Sequence, residues 1–154
     1  MAEIIELHSQ SGSGRKCPQC GQSGRAIDTQ TVKAMLAVSL HAIRPVSYYF
    51  CPTEQCAVVY FMQDGEQSFC EEELRERVYQ KHPHDDEVLI CYCFHHTVGS
   101  IREEWRQTGQ STVVETVTVG TQMGQCACDL RNPQSACCLG NLRRFVEQMK
   151  QGRH

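Results

Sequence analysis

The sequence has no apolar run that approaches the roughly 20 residues of a membrane-spanning helix. Its start contains two acids, Glu3 and Glu6, and lacks the apolar segment that a secretory signal needs. We therefore expect a cytoplasmic protein that is not embedded in a membrane.

Charge is also scarce, since charged residues make up 21% of the chain and the formal net charge is −3. This balance excludes a highly charged disordered chain, and it lacks the basic footprint on which nucleic-acid affinity depends. The sequence also lacks the glycine-rich motifs of nucleotide-binding loops and the nucleophile motif of serine hydrolases. We therefore expect no nucleic-acid partner and no enzymatic activity.

Ordinary core residues are few, because the 40% hydrophobic fraction includes eleven cysteines among 154 residues. A chain with so thin a core needs additional stabilisation. An odd number of cysteines does not suit a fully paired disulfide framework, and in a reducing compartment clustered cysteines hold metals more often than they form disulfides. The cysteines are therefore the main functional signal.

The cysteines fall into two groups, which are separated by a cysteine-free stretch over residues 71–90. From this spacing we predict a zinc-binding, β-rich half over 17–84 and a helical half over 85–154. A glycine- and serine-rich composition predicts a flexible N-terminal tail over 1–16. The boundary between the halves is placed in a polar, proline-bearing segment near 81–86.

Residue patterns predict an α+β fold, in which a small β-hairpin half precedes the helical half. Runs of β-branched and aromatic residues predict strands at 46–50, 57–62 and 67–69. Apolar periodicity and capping residues predict helices at 71–80, 98–107, 112–118 and 136–151. Residues 31–40 form either a helix or an irregular apolar segment.

The first cysteine group contains two closely spaced pairs. Cys17 and Cys20 form a C-x2-C knuckle, and Cys51 and Cys56 form a C-x4-C pair between two predicted strands. Four thiolates suit a tetrahedral zinc ion, and because they leave no open position the zinc would be structural. A single iron in the same geometry and two unrelated buried pairs are the alternatives.

The second group begins with a C-x-C pair, Cys91 and Cys93, whose side chains emerge on one face of an extended segment. Four later cysteines could complete the site: Cys126, Cys128, Cys137 and Cys138. Four thiolates suit a [2Fe–2S] cluster, with a second zinc as the alternative. The spacing alone leaves the last two ligands open.

Part of this half is similar to the [2Fe–2S] domain of bacterioferritin-associated ferredoxins. The residues that carry this resemblance are Cys91-Tyr92-Cys93, Thr97 at the start of a helix, the segment 111–117, Gly120, Gly124 and Cys126-Ala127-Cys128.

The N-terminal domain of two-domain, CopZ-type copper chaperones is the closer match. It shares a C-x2-C knuckle, a cysteine pair followed by a Val-Val-Tyr-Phe strand, a Cys-Tyr-Cys, and a late cysteine followed by Asn-Pro and Cys-Cys. These are Cys17 with Cys20, Cys51 with Cys56 before Val58–Phe61, Cys91 with Cys93, Cys128, Asn132-Pro133, and Cys137-Cys138. The resemblance extends from about Cys17 to Phe145.

This resemblance implies a ligand set for each centre. The zinc ligands would be Cys17, Cys20, Cys51 and Cys56, and the [2Fe–2S] ligands would be Cys91, Cys93, Cys128 and Cys138. The Asn132-Pro133 register selects Cys128 over Cys126, and the family pattern alone selects Cys138 over Cys137. The Met-x-Cys-x-x-Cys copper loop of such chaperones does not occur in these 154 residues, so we expect no copper transfer by that loop.

Together these features predict a zinc-braced β-hairpin half followed by a helical half that binds a [2Fe–2S] cluster. We expect a role in handling copper or another soft metal, through one-electron transfer or docking with a metal-trafficking protein or membrane metal transporter. The alternatives are a zinc-ribbon module that binds nucleic acid or protein, and an electron donor for iron mobilisation from bacterioferritin. Cys70, His95 and His96 receive no ligand role here.

Overall fold

The computed structural model describes residues 15–152, so the predicted tail over 1–16 lies outside the described residues apart from its last two. The α+β fold class is confirmed, since an antiparallel sheet precedes a largely helical region. The chain divides into two compact units between Glu76 and Arg77, whereas the sequence analysis placed the division after residue 84. Within residues 15–152, no helix is both long and apolar enough to cross a membrane.

The first unit is built on a four-stranded antiparallel sheet with strand order β1-β2-β3-β4. Its strands are β1 (Arg25–Ile27), β2 (Tyr48–Phe50), β3 (Val58–Met62) and β4 (Ser68–Cys70). The three predicted strands correspond to β2, β3 and β4. Strand β1 was not predicted, because three residues are too few to show a two-residue alternation.

Strand β3, one of the two central strands, is buried along its whole length, and aromatic side chains pack around it. The rings of Tyr49 and Phe61 stack with their centroids 5.8 Å apart. Gly24 lies against Phe61, and a Cβ atom there would sit 2.6 Å from the Phe61 ring. Only glycine therefore fits at position 24 without displacing the aromatic core.

Helix α1 (Thr29–Met35) overlaps the first half of segment 31–40, which the sequence left open between helix and irregular structure, and begins two residues before it. Its first turn is capped by Asp28, whose carboxylate accepts a hydrogen bond of 3.0 Å from the backbone N–H of Gln30. The helix ends where Leu36 enters an extended conformation.

The helix predicted at 71–80 is wrong. The segment contains a 3-10 turn at Glu71–Glu73, and a second such turn begins at Tyr79. Between them Leu74 pairs with Leu36 in an isolated β-bridge. Local charge patterning favoured a helix, but burial of Leu74 and this long-range pairing hold the backbone extended.

The second unit combines a two-stranded sheet with four helices. The strands are β5 (Leu89–Cys91) and β6 (His96–Thr97), and the helices are α2 (Val98–Thr108), α3 (Val113–Gln122), α4 (Cys128–Arg131) and α5 (Leu139–Lys150). The sequence predicted α2, α3 and α5 but neither the sheet nor α4. Both missed features are too short for a periodic pattern to reveal.

The ends of α2 follow the predicted capping chemistry. Thr97 and Ser100 form reciprocal hydrogen bonds at its start, and Gly109 ends it in a left-handed conformation with φ of 75°. Helix α3 extends four residues beyond its predicted end despite its many β-branched residues. Burial of Val113 and Val117 in the core of this unit outweighs the weak helix propensity.

Candidate metal centres

The knuckle that carries Cys17 and Cys20 is a tight turn held by backbone hydrogen bonds. The N–H of Cys17 donates to the carbonyl of Gln22, and the N–H of Gly21 donates to the carbonyl of Cys17, both at 2.9 Å. Gly21 has a φ of 76°, which glycine adopts without strain. The turn therefore presents both thiols from a fixed backbone.

The second pair of this group sits in the connection between the two central strands. Cys51 directly follows β2, and its N–H donates to the carbonyl of Val59 on β3 at 2.8 Å. Cys56 closes the connecting turn through a 3.2 Å hydrogen bond to the carbonyl of Thr53. The sheet thus fixes both ends of the loop.

All four sulfur atoms of this group lie within 4.8 Å of one another. The Sγ atoms of Cys17 and Cys56 are 3.7 Å apart, as are those of Cys20 and Cys51. A tetrahedron with Zn–S bonds of about 2.3 Å has sulfur–sulfur edges of about 3.8 Å. The donor set therefore matches a tetrahedral zinc ion in both chemistry and spacing.

The surroundings of these thiols shift their pKa values in opposite directions. Burial raises the pKa of Cys17 to about 12 and also raises the pKa of Cys56. Burial acts in the same direction on Cys20, but its hydrogen bonds with the Thr53 hydroxyl and the Gln22 backbone lower its pKa to about 6. A metal ion that binds all four thiolates must therefore displace protons.

In the second unit, Cys91 and Cys93 flank a tyrosine that anchors their segment. The hydroxyl of Tyr92 donates to the carbonyl of Arg77 at 2.5 Å and accepts from the N–H of Tyr79 at 3.0 Å. Cys91 ends β5 and is fully buried, while Cys93 lies in the loop before β6. No pattern in the sequence indicated this anchoring role of Tyr92.

The loop that follows Cys93 packs on helix α3. A Cβ atom at Gly120 would lie 2.5 Å from the ring of Phe94, so a larger residue would push the loop outward. Gly120 was noted in the sequence only as part of a family pattern, and its contact with Phe94 becomes visible only in the fold.

The structure brings Cys91, Cys93, Cys128 and Cys138 together. The Sγ atoms of Cys93 and Cys128 are 3.7 Å apart, and the N–H of Ala127 donates to Cys93 Sγ at 3.1 Å. Cys138, which directly precedes α5, lies close enough to the thiols of Cys128 and Cys91 to interact with both. The four thiols of the predicted cluster site thus form a connected set.

The four thiols of this set differ in their pKa values. Hydrogen bonds from Cys138 lower the pKa of Cys91 to about 7 and that of Cys128 to about 6. The same bonds, first to Cys128 and then to Cys91, raise the pKa of Cys138 far above its usual range. Burial raises the pKa of Cys93 to about 11. Two thiolates are therefore stabilised by a neighbouring thiol that keeps its proton.

The other cysteines and the two histidines considered in the sequence lie outside both four-thiol groups. Cys137 is exposed and its thiol interacts with that of Cys128, whereas Cys126 is partly buried in the loop before α4. Cys70 ends β4 beside the turn at Glu71–Glu73. His96 belongs to β6, and the exposed His95 adopts a φ of 62° in the preceding loop.

Comparisons with known proteins agree with this geometry. Residues 14–75 match the family model described as a zinc binding domain of the CopZ type. The chain is 31% identical over 131 residues to the copper chaperone CopZ of Archaeoglobus fulgidus. This alignment covers 84% of the chain and 61% of that relative's length. Neither match indicates a catalytic family.

A solved structure extends the similarity across both units. The X-ray structure of the Archaeoglobus fulgidus CopZ N-terminal domain superposes with a TM-score of 0.70 at 30% identity, covering 84% of this chain and 96% of that domain. The first cysteine group lies within the matched zinc binding domain. The chain therefore belongs to the family of the CopZ N-terminal domain, and its first unit carries a zinc binding domain.

Proposed function

We propose that this protein holds a structural zinc ion in its first unit and a [2Fe–2S] cluster in its second, and that it serves the handling of copper or another soft metal. The observation that carries the proposal is the presence of two separate four-cysteine sets, one in each unit.

The first set suits a structural ion. Its ligands would be Cys17, Cys20, Cys51 and Cys56. Four sulfur donors complete a tetrahedron and leave no position for a water or substrate. Three of the four cysteines are buried, and they pack with Tyr49, Val58 and Phe61 in one cluster. A metal at this point would join the knuckle to the sheet and enlarge a small core.

The donor set of the second unit suits a cluster of two irons. Its ligands would be Cys91, Cys93, Cys128 and Cys138. Their contacts form a chain, from Cys91 to Cys138, on to Cys128 and then to Cys93. With contacts in this order, two thiolates could bind each iron. The cluster would supply one-electron redox chemistry. Cys138 also directly precedes α5, where unpaired backbone N–H groups stabilise negative charge.

Three observations support the role in metal handling. The matched relative is named a copper chaperone, although this chain covers only 61% of its length. None of the eleven cysteines, all of which lie within residues 15–152, forms a disulfide there, as expected in a reducing compartment such as the cytoplasm. Sulfur donors favour soft ions such as Cu(I). A metal transporter or another metal-trafficking protein is the partner that this chemistry suggests.

A redox titration tests the proposal. Anaerobically purified protein should be coloured, and its visible bands should bleach on uptake of one electron per chain. Adding one equivalent of Cu(II) to the reduced protein should restore the bands, and a Cu(I)-specific chelator should then capture one equivalent of Cu(I).

The control is protein from iron-depleted cells, which should carry zinc and show no visible bands that bleach on reduction or return with Cu(II). Protein that is colourless after anaerobic purification, or whose bands do not respond to a reductant, would contradict the redox part of the proposal.

A further inference from the structure

The loop between Cys128 and Cys138 contains buried polar residues that the proposed cluster site does not use as ligands. Asn132 is 2% exposed, and Gln134 is also buried. Buried polar groups are costly unless hydrogen bonds satisfy them, so the partners of these side chains indicate what they hold in place.

Asn132 makes four hydrogen bonds within this short loop. Its backbone N–H donates to the carbonyl of Cys128 at 3.0 Å, and its backbone carbonyl accepts from the N–H of Ser135 at 2.8 Å. Its side-chain Nδ2 donates to the carbonyl of Ala136 at 3.0 Å, and its Oδ1 accepts from the N–H of Gln134 at 3.0 Å. One residue therefore ties the backbone of Cys128 to the segment that leads into Cys138.

We call these four hydrogen bonds the Asn132 clamp. Two further residues of the loop, Ser135 and Gln134, are also held in defined positions. Ser135 adopts a φ of 71°, a left-handed conformation that a serine holds only when its surroundings impose it. Gln134 accepts a hydrogen bond of 3.3 Å from Asn141 on α5 and also bonds with Gln80. The polar interior of the loop is thus connected to the helix that begins after Cys138.

We infer that Asn132 is a positioning residue that sets the separation between Cys128 and Cys138. This inference rests on the proposed function, because it assigns these two thiols to one cluster. Without the bond from Asn132 Nδ2 to Ala136, the loop can relax, and Cys138 leaves its buried position beside Cys128 and Cys91.

The test compares two matched substitutions in the full-length, anaerobically purified protein. Asn132→Asp keeps the shape and the Oδ1 acceptor but removes the donor to Ala136. Asn141→Asp removes a donor to Gln134 from a residue that is equally buried, at 4% exposed, but does not touch the loop backbone. If Asn132→Asp yields no soluble protein, Asn132→Ser, which can still accept from Gln134, takes its place.

The first readout is the half-life of the visible bands in excess iron chelator. We expect Asn132→Asp to shorten it by about 10-fold, the usual scale for residues that orient metal ligands, and Asn141→Asp to shorten it by less than about 2-fold. The visible circular dichroism of the surviving Asn132→Asp clusters should differ from that of the parent, which a loss of general stability would not produce. Equal half-lives in the parent and Asn132→Asp, or equal losses in the two variants, would overturn the inference.

The second readout does not require a cluster. In iron-stripped protein, peptide mapping after iodoacetamide treatment gives the labelling rate of the buried Cys138 relative to the exposed Cys137. We expect this ratio to rise in Asn132→Asp and to stay at the parent value in Asn141→Asp. A parent protein without iron would refute the cluster, while an unchanged labelling ratio in Asn132→Asp would refute the clamp.

Discussion

Replacing Cys51 with serine is expected to release zinc and unfold the first unit while the iron content of the protein stays unchanged. Cys51 is 0% exposed, and its Sγ lies 3.7 Å from that of Cys20. A serine hydroxyl is a poor zinc ligand, and a buried hydroxyl without a metal carries a desolvation cost. Structural zinc sites supply apparent binding energies of about 10–16 kcal/mol in zinc-finger peptides, so the loss should be large.

The measurement combines metal analysis with thermal unfolding. Cys51→Ser should hold less than about a tenth of the parent's zinc, and the unfolding transition of the first unit should disappear. The proposed cluster ligands lie in the second unit, so the iron should be retained. Cys70→Ser is the matched control, because Cys70 also lies in the first unit but outside the four-thiol group. Retention of zinc in Cys51→Ser, or equal zinc loss in Cys70→Ser, would remove Cys51 from the ligand set.

Cys128→Ser should lose the cluster, whereas Cys126→Ser should keep it. The Sγ of Cys128 lies 3.7 Å from that of Cys93, and its thiol also interacts with that of Cys138. Cys126 lies two residues earlier, and its replacement leaves the backbone bond from Ala127 to Cys93 intact. Since residues that merely orient ligands change metal affinity by about 10–100-fold, loss of a ligand should cost at least as much.

Iron, sulfide and visible absorbance, measured on the anaerobically purified variants, decide between the two cysteines. Cys137 is next to Cys138 in the chain and its thiol interacts with that of Cys128, so it could substitute for the missing ligand in Cys128→Ser. The double variant Cys128→Ser/Cys137→Ser should then lose any cluster that Cys128→Ser retains. Equal iron loss in the two single variants, or greater loss in Cys126→Ser, would show that the assignment of Cys128 is wrong.

The sequence predicted the zinc binding group because the two cysteines of each pair lie close together in the chain. Cys17 with Cys20 and Cys51 with Cys56 each place two thiols in one turn, and flanking strands were visible as β-branched runs. The fold then only had to bring two preformed pairs together, and their sulfurs lie within 4.8 Å. The same reasoning identified Cys91 with Cys93 as a pair.

The sequence was less informative where the structure depends on contacts between residues that are far apart in the chain. Spacing left Cys126 and Cys128 open, and only the fold places the Sγ of Cys128, at the start of the four-residue helix α4, 3.7 Å from that of Cys93. The wrong helix at 71–80 has a similar cause, since Leu74 pairs with a residue far away in the chain. The clamp at Asn132 was visible only as an Asn-Pro pattern, with no sign of the carbonyl that its side chain would bind.

The most direct test of the account is the metal and sulfide content of the anaerobically purified protein. The two four-thiol sets predict one zinc, two irons and two acid-labile sulfides per chain, with visible absorption from sulfur-to-iron charge transfer. Two zinc ions per chain, with neither iron nor sulfide, would contradict it.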